Sequence, residues 1–203
     1  QSQGIREAAK QLGVTPFVLC FAAYQVLLYR YSGQTQFNIG TPTSGRLNQD
    51  YLRTIGYLVN PVVLACECSP NATFAETVEQ AKQVSRSALE HQQWPLSQLM
   101  PMLDVQRDPS RNPLFQHLFA LTHVQAQKNQ KLIEETYLSE QRGAALDISL
   151  IVLDDRNGFT GEWRYNTDLY QQNTALTMIE AYKAIVDAVC ANPNAALKSL
   201  PLM

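Results

Sequence analysis

A mixed α/β fold is what this sequence predicts, and three observations predict it. Apolar residues recur at helical spacing in several segments, most clearly Leu176, Ile179, Tyr182, Ile185, Val186 and Val189. Between such segments lie short runs rich in β-branched and aromatic residues, such as YLVNPVVLACE at 57–67. The dipeptide Asn157-Gly158 separates two of those runs and signals a hairpin. With 203 residues and 45% hydrophobic content, the chain has the size and composition of one globular unit.

The elements follow in chain order. A first helix over 5–12 ends at Gly13. The second has clear punctuation: Thr15 can cap it, Pro16 suits its first turn, and Gly33 follows its end. Phe17, Val18, Leu19, Phe21, Ala22, Tyr24, Leu27 and Leu28 make it apolar nearly all round, so it belongs at the centre of the core. A short strand over 36–40 leads to a turn-rich loop, TPTSGR. Pro61 restricts the run 57–67 to an edge, a bulge or two shorter strands. Thr73 and Glu76 have capping-box spacing and open a helix to about His91. A helical turn within 95–103 precedes strands at 114–124 and 145–153. The Asn157-Gly158 turn, read as type I′ with positive φ at both residues, joins 148–153 to 159–165. A last helix covers 174–190, and the remainder reads as a tail. The expected organisation is one unit over 1–192 and the start of a linker over 193–203.

The charge of −2 and the absence of a basic run exclude a phosphate-binding surface, so no nucleic-acid partner is expected. The most apolar stretch, 17–28, is interrupted by Gln25 and closed by Arg30, short of the roughly 20 residues of a membrane span. Cys20, Cys66, Cys68 and Cys190 form no Cys-x-x-Cys and have no histidine at zinc-finger spacing. They read as small buried hydrophobes in a reducing, cytoplasmic compartment. The N-terminus has neither an initiator methionine nor an apolar signal segment, and a fragment is expected.

Candidate chemistry is sparse. His117 and His123 are six apart on one strand, sharing a face with Phe115, Phe119 and Leu121, and so lie roughly 20 Å from each other. That spacing excludes a shared metal or a dyad. His91 suits a helix C-terminus. No nucleophile elbow, P-loop or dinucleotide fingerprint is present. The stretch QRDPSRNPLF stands out instead. Each proline pushes the residue before it into extended geometry, while Asp108, Ser110 and Asn112 can bond nearby backbone N–H groups. Arg107 and Arg111 add forked donors. The expectation is a stapled loop that aims the following strand.

That stretch also resembles the late signature of condensation domains in nonribosomal peptide synthetases, approximately RDxSRNPLF. Every fixed letter is present from Arg107 to Phe115, including Arg107, Asp108, Ser110, Arg111, Asn112 and Pro113. IGYLVN is similar to the family's IGxFVNT, with Leu58 for Phe and Pro61 for Thr. HQQWPLSQL is similar to HQDxPFE, keeping His91, Gln92 and Pro95. YSGQTQFNIGTPTSGR and YNTDLY resemble further family stretches, so the likeness covers almost the whole chain in the family's order.

The resemblance implies a chloramphenicol acetyltransferase-like fold, in which two α/β subdomains form a V around an active-site tunnel. It implies amide formation between donor and acceptor thioesters held on the 4′-phosphopantetheine of carrier proteins, with no cofactor bound directly. The family's HHxxxDG lies in the N-terminal subdomain, and no adjacent histidine pair occurs here. The chain therefore resembles the C-terminal, acceptor-side subdomain, carrying no catalytic residue of its own and inactive alone. Its partners would be the N-terminal subdomain, upstream and downstream carrier proteins and an adjacent adenylation domain. Near the tunnel the resemblance places Asn60 and Arg46, and His123 where many relatives have asparagine. A crossover is expected between Val124 and Arg142, and Trp163, Tyr165 and Asn166 are candidates for a second bridge. Heterocyclisation, a coenzyme A-dependent acyltransferase of the same fold and a non-catalytic docking scaffold are the rival readings. An isolated half should expose its partner-facing apolar surface and self-associate.

Overall fold

A computed structural model of the chain describes residues 1–103, 108, 111–123 and 143–202. Arg107, Ser110 and the expected crossover lie outside these residues. One five-stranded sheet has the order β2-β1-β3-β4-β5. Its strands are β1 (Gln36–Thr43), β2 (Asn60–Glu67), β3 (His117–His123), β4 (Ile148–Asp155) and β5 (Gly158–Tyr165). β1, β3 and β4 are mutually parallel. β2 and β5 pair antiparallel at the two edges.

Four helices build the core with this sheet: α1 (Ser2–Gln11), α2 (Pro16–Ser32), α3 (Phe74–Glu90) and, after a short α4 (Leu96–Leu99), α5 (Gln172–Ala191). α2 forms as its punctuation predicts. Thr15 accepts from the Val18 N–H, Pro16 occupies the first turn, and Gly33 closes the helix at φ 70°. Val18 through Leu28 are all buried, because α2 lies among α3, α5 and β3. The rings of Phe17, Phe21 and Tyr24 pack around Phe119 of β3 at centroid distances of 5.3–5.9 Å. In α3 the Thr73–Glu76 capping box is complete, and His91 donates from Nδ1 to the Ser87 carbonyl at 2.9 Å. Among the described residues, no single helix is long and apolar enough to cross a membrane.

Four expectations are corrected. β1 runs on to Thr43, through the expected loop, with Pro42 opposite Pro61 of β2. Only Ile39 and Gly40 of β1 pair with β3, so the missing Pro42 N–H breaks no bond on that side. At the hairpin Asn157 does not adopt positive φ, so the turn is not type I′. The Asp155 carboxylate holds it instead, accepting from the N–H groups of Asn157 and Gly158 at 2.7 and 3.0 Å. Phe115 precedes β3 and lies over Gly40, outside the cluster that holds Phe119.

The tail differs most. Residues 193–202 read as a linker, yet Leu197 and Leu200 are buried in the core. Ala195 and Pro193 carbonyls accept from the Phe74 and Ala75 N–H groups, and Leu197 donates to Ala72. Arg30 Nη1 donates to the carbonyls of Leu197 and Leu200 at 2.8 and 2.9 Å. Apolar Leu197 and Leu200, embedded in a polar stretch, supply the burial that a linker lacks.

Candidate functional site at the carboxyl edge of the sheet

Because β1, β3 and β4 are parallel, their carboxyl ends share one edge of the sheet. Ligands of open α/β sheets bind at that edge. Here β1 ends at Thr43, β3 at His123 and β4 at Asp155. β2 runs the other way and brings its first residue, Asn60, opposite Thr43.

Strand register sets His123 opposite Asp154, and His123 Nδ1 lies 3.0 Å from Asp154 Oδ2. Asp154 is only 4% exposed, and its carboxylate also accepts from Arg6 Nη2 at 2.6 Å and Nη1 at 3.4 Å. The Arg6 guanidinium in turn lies 4.7 Å over the Phe159 ring. An ionised carboxylate only accepts, so the proton in the pair belongs to His123 Nδ1. In the neutral ring Nε2 is then left as an acceptor, on a side chain 61% exposed. The result is an oriented imidazole at the end of a rigid strand. Sequence reasoning missed Asp154 and Arg6. The period-2 pattern of ISLIVLDD carried a signal, since it places an acid on the inward face with Leu150 and Val152.

Asn60 and Arg46 serve the surrounding loops. Asn60 Nδ2 donates to the carbonyls of Gln92 and Trp94, both at 2.9 Å, tying the HQQW segment to the start of β2. Its own carbonyl accepts from Thr43 Oγ1 at 2.8 Å. Arg46 Nη1 donates to the Tyr51 and Thr54 carbonyls at 2.6 and 2.8 Å, gathering the segment that includes a 3-10 turn at Gln49–Arg53. Gly45 allows this path at φ 64°, where a Cβ would lie 1.9 Å from the Leu58 carbonyl oxygen. A cavity of about 300 Å³ opens beside these residues, between the sheet and the helices α2 and α3.

The other three candidates stand at the opposite end. β5 is antiparallel to β4, so Trp163 pairs with Leu150 and Tyr165 with Ile148, the first residue of β4. Trp163 packs edge-on to Tyr24 at 5.8 Å. Asn166 donates its N–H to the Asp147 carbonyl and accepts from Asp168 on Oδ1, starting the turn towards α5. The structure therefore brings Asn60, Arg46 and His123 to one edge and leaves Trp163, Tyr165 and Asn166 away from it.

The described residues of the proline-rich stretch, Asp108 and 111–116, lead into the amino end of β3. Asn112 Oδ1 accepts from the Leu114 and Phe115 N–H groups at 3.0 and 3.3 Å, and Arg111 donates its N–H to the Asp108 carbonyl. Pro113 occupies this turn. His117 follows it, and burial lowers its pKa from the ordinary histidine value. The cysteines are free thiols. Burial pushes Cys20 up to about 12 and Cys68 up to about 11, which leaves neither a nucleophile at neutral pH. Among the described residues no cluster of three His, Cys, Asp or Glu side chains could hold a metal ion.

A mixed sheet packed against helices, with an oriented imidazole and a cavity at its carboxyl edge, defines the class as α/β. The family described as Condensation domain matches residues 1–203, and the chain belongs to this condensation family of nonribosomal peptide synthetases. It is 35% identical to surfactin synthase subunit 2 of Bacillus subtilis, over 100% of this chain and 6% of that protein. It is 32% identical to gramicidin S synthase 2 of Brevibacillus brevis, over 98% of this chain and 5% of that protein. The chain thus spans a small part of the curated relatives it matches.

Among solved structures, the condensation domain of the monacolin K polyketide synthase MokA superposes with TM-score 0.84 at 26% identity, over 97% of this chain and 46% of that one. A four-domain nonribosomal peptide synthetase bound to AMP and glycine superposes at 0.90 with 24% identity, over 99% of this chain and 17% of that one. The fold is the chloramphenicol acetyltransferase-like fold of condensation domains, and this chain covers about half of one.

Proposed function

We propose that this chain is the C-terminal, acceptor-side half of an amide-forming condensation domain. The observation that carries this reading is the family match over residues 1–203, together with the coverage of about half of a solved condensation domain. The sequence contains no adjacent histidine pair, so the HHxxxDG motif would come from the N-terminal subdomain. Carrier domains would deliver both substrates as thioesters on phosphopantetheine. In the reaction the acceptor amine nitrogen attacks the donor thioester carbonyl. A C–N bond forms, the C–S bond breaks, the amine gives up a proton and the donor carrier's thiol leaves protonated.

This half supplies position. The Asn112 turn fixes the amino end of β3, and Asp154 with Arg6 fixes the imidazole at its carboxyl end. In this reading His123 Nε2 would accept a hydrogen bond from the incoming amine. Asn60 and Arg46 hold the loops beside it. Trp163, Tyr165 and Asn166 act through the core and the turn into α5 rather than at this edge.

The test is reconstitution. The 203-residue chain alone should give no dipeptidyl product from loaded donor and acceptor carriers, as read by mass spectrometry. Addition of the N-terminal subdomain should restore it. Turnover by the chain alone would refute the half-domain assignment. A reconstituted pair that binds carriers without forming product would favour the scaffold reading. The X-domain of teicoplanin biosynthesis, solved in complex with OxyB, shares the fold at TM-score 0.86 and 23% identity, so this fold does carry docked proteins.

A further inference from the structure

The amino edge of the sheet carries a second cavity, of about 490 Å³, between the end of α2 and the first turns of α5. That size falls within the range of about 300–1,000 Å³ of small-molecule sites. Leu28, Leu114, Ile148 and Met178 give it an apolar wall, and polar side chains make up much of the rest. Ser32, Asn38 and Gln116 donate to the carbonyls of Leu28, Leu114 and Asn112, so these three are satisfied within the chain. Arg111 and Asp147 are the charged groups in the lining, and they are opposite in sign. Among the described residues neither side chain has a hydrogen-bond or ion-pair partner, although Asp147 is half-buried. Burial deprives a charge of hydration, and proteins ordinarily compensate with a partner. Both charges act on one phenol in the same lining. Burial first and then the Asp147 carboxylate raise the Tyr170 pKa, and the Arg111 guanidinium opposes them. His117 also lines the cavity, roughly 20 Å along β3 from His123.

We propose that this cavity binds a free α-amino acid with an uncharged side chain. Arg111 offers the ligand carboxylate a forked pair of donors, and the Asp147 carboxylate accepts from the ligand ammonium. A zwitterion satisfies both charges at once, which no simple anion or cation does. The ligand side chain lies on the apolar wall. Bound there, the amino acid joins the stretch before β3 to the residue before β4, and so braces the two parallel strands that end at His123 and Asp155. The assignment does not rest on the condensation reading.

The test titrates the 203-residue chain with L-leucine, leucinamide and 4-methylpentanoate, followed by amide chemical shifts. Leucinamide lacks the carboxylate, and 4-methylpentanoate lacks the ammonium. Leucine should bind saturably and shift His117, Ile148 and Thr174. Each of the other two should bind about tenfold more weakly, the worth of one charge-assisted hydrogen bond. Arg111→Gln should erase the preference for leucine over leucinamide and keep that over 4-methylpentanoate. Asp147→Asn should do the reverse. Neither substitution removes a side-chain bond within the described residues, so both variants should fold. Absence of saturable leucine binding, or shifts confined to other parts of the chain, overturns the site. Leucinamide or 4-methylpentanoate binding as tightly as leucine overturns the charge assignment without recourse to any variant. Variants that weaken all three ligands equally overturn the roles of Arg111 and Asp147. Glycine binding as tightly as leucine overturns the part given to the apolar wall.

Discussion

Phe115 fills the place that a side chain at residue 40 would take. Three atoms of its ring lie 2.3–2.6 Å from the position of a Gly40 Cβ, and the ring is 3% exposed. A well-packed ring cannot give way at that distance without shifting backbone. Gly40→Ala should therefore cost about 1–3 kcal/mol in urea denaturation, the usual penalty of overpacking. Phe115→Leu made in the same chain should recover part of it, because the two residues are in contact and their effects couple. An additive pair would mean that Phe115 does not meet residue 40. The RNPLF motif thus ends in a residue that docks on β1, the neighbouring strand. Its stiffness locates one strand against the next, before any chemistry is involved.

The capping box of α3 offers the cleanest test among the elements. Thr73 Oγ1 accepts from the Glu76 N–H, and Glu76 Oε2 accepts from the Thr73 N–H at 2.8 Å. Thr73→Ala should cost about 1 kcal/mol. The backbone N–H of Thr73, then its hydroxyl, lowers the Glu76 pKa from its ordinary value. A lowered folded value means that the unfolded chain binds the proton more readily. Stability from this group is full above the ordinary carboxyl pKa and is lost as pH falls through the lowered one. The gap between wild type and Glu76→Gln should accordingly narrow on acidification, and a gap independent of pH would refute the box.

Elements such as this were legible because their signals are local. Thr15, Pro16, Gly33, Thr73 and Glu76 act on backbone within a few residues, and the boundaries of α2 and α3 followed. Partnership across the sheet was not legible. Nothing in TPTSGR shows that Pro42 finds Pro61 opposite it, and only strand order frees that side of β1. The site was half legible for the same reason. Family motifs pointed to His123, but the partners that orient it, Asp154 and Arg6, stand 31 residues downstream and 117 upstream in the chain.

At the scale of the molecule, apolar surface remains outside the core. Leu52, Ile55, Tyr57 and Met102 are 64%, 101%, 87% and 74% exposed. Leu52, Ile55 and Tyr57 lie in the segment that joins Arg46 to Asn60 at the carboxyl edge. Surfaces of this kind bind partners or drive association. The isolated chain should self-associate with rising concentration in sedimentation velocity, and Ile55→Lys with Tyr57→Lys should return it to monomer. A wild-type chain that stays monomeric throughout would show that this surface is content with water.

The docked tail gives the molecule a mechanical character. Force applied at residue 202 does not meet a slack tether. It loads the Arg30 contacts at the Leu197 and Leu200 carbonyls first, and then the bonds from residues 193–197 to the start of α3. The tail therefore works as a rivet through two helices. A body attached beyond it would inherit a fixed point of departure, and its swing would be measured from α2 and α3 rather than from a loose end.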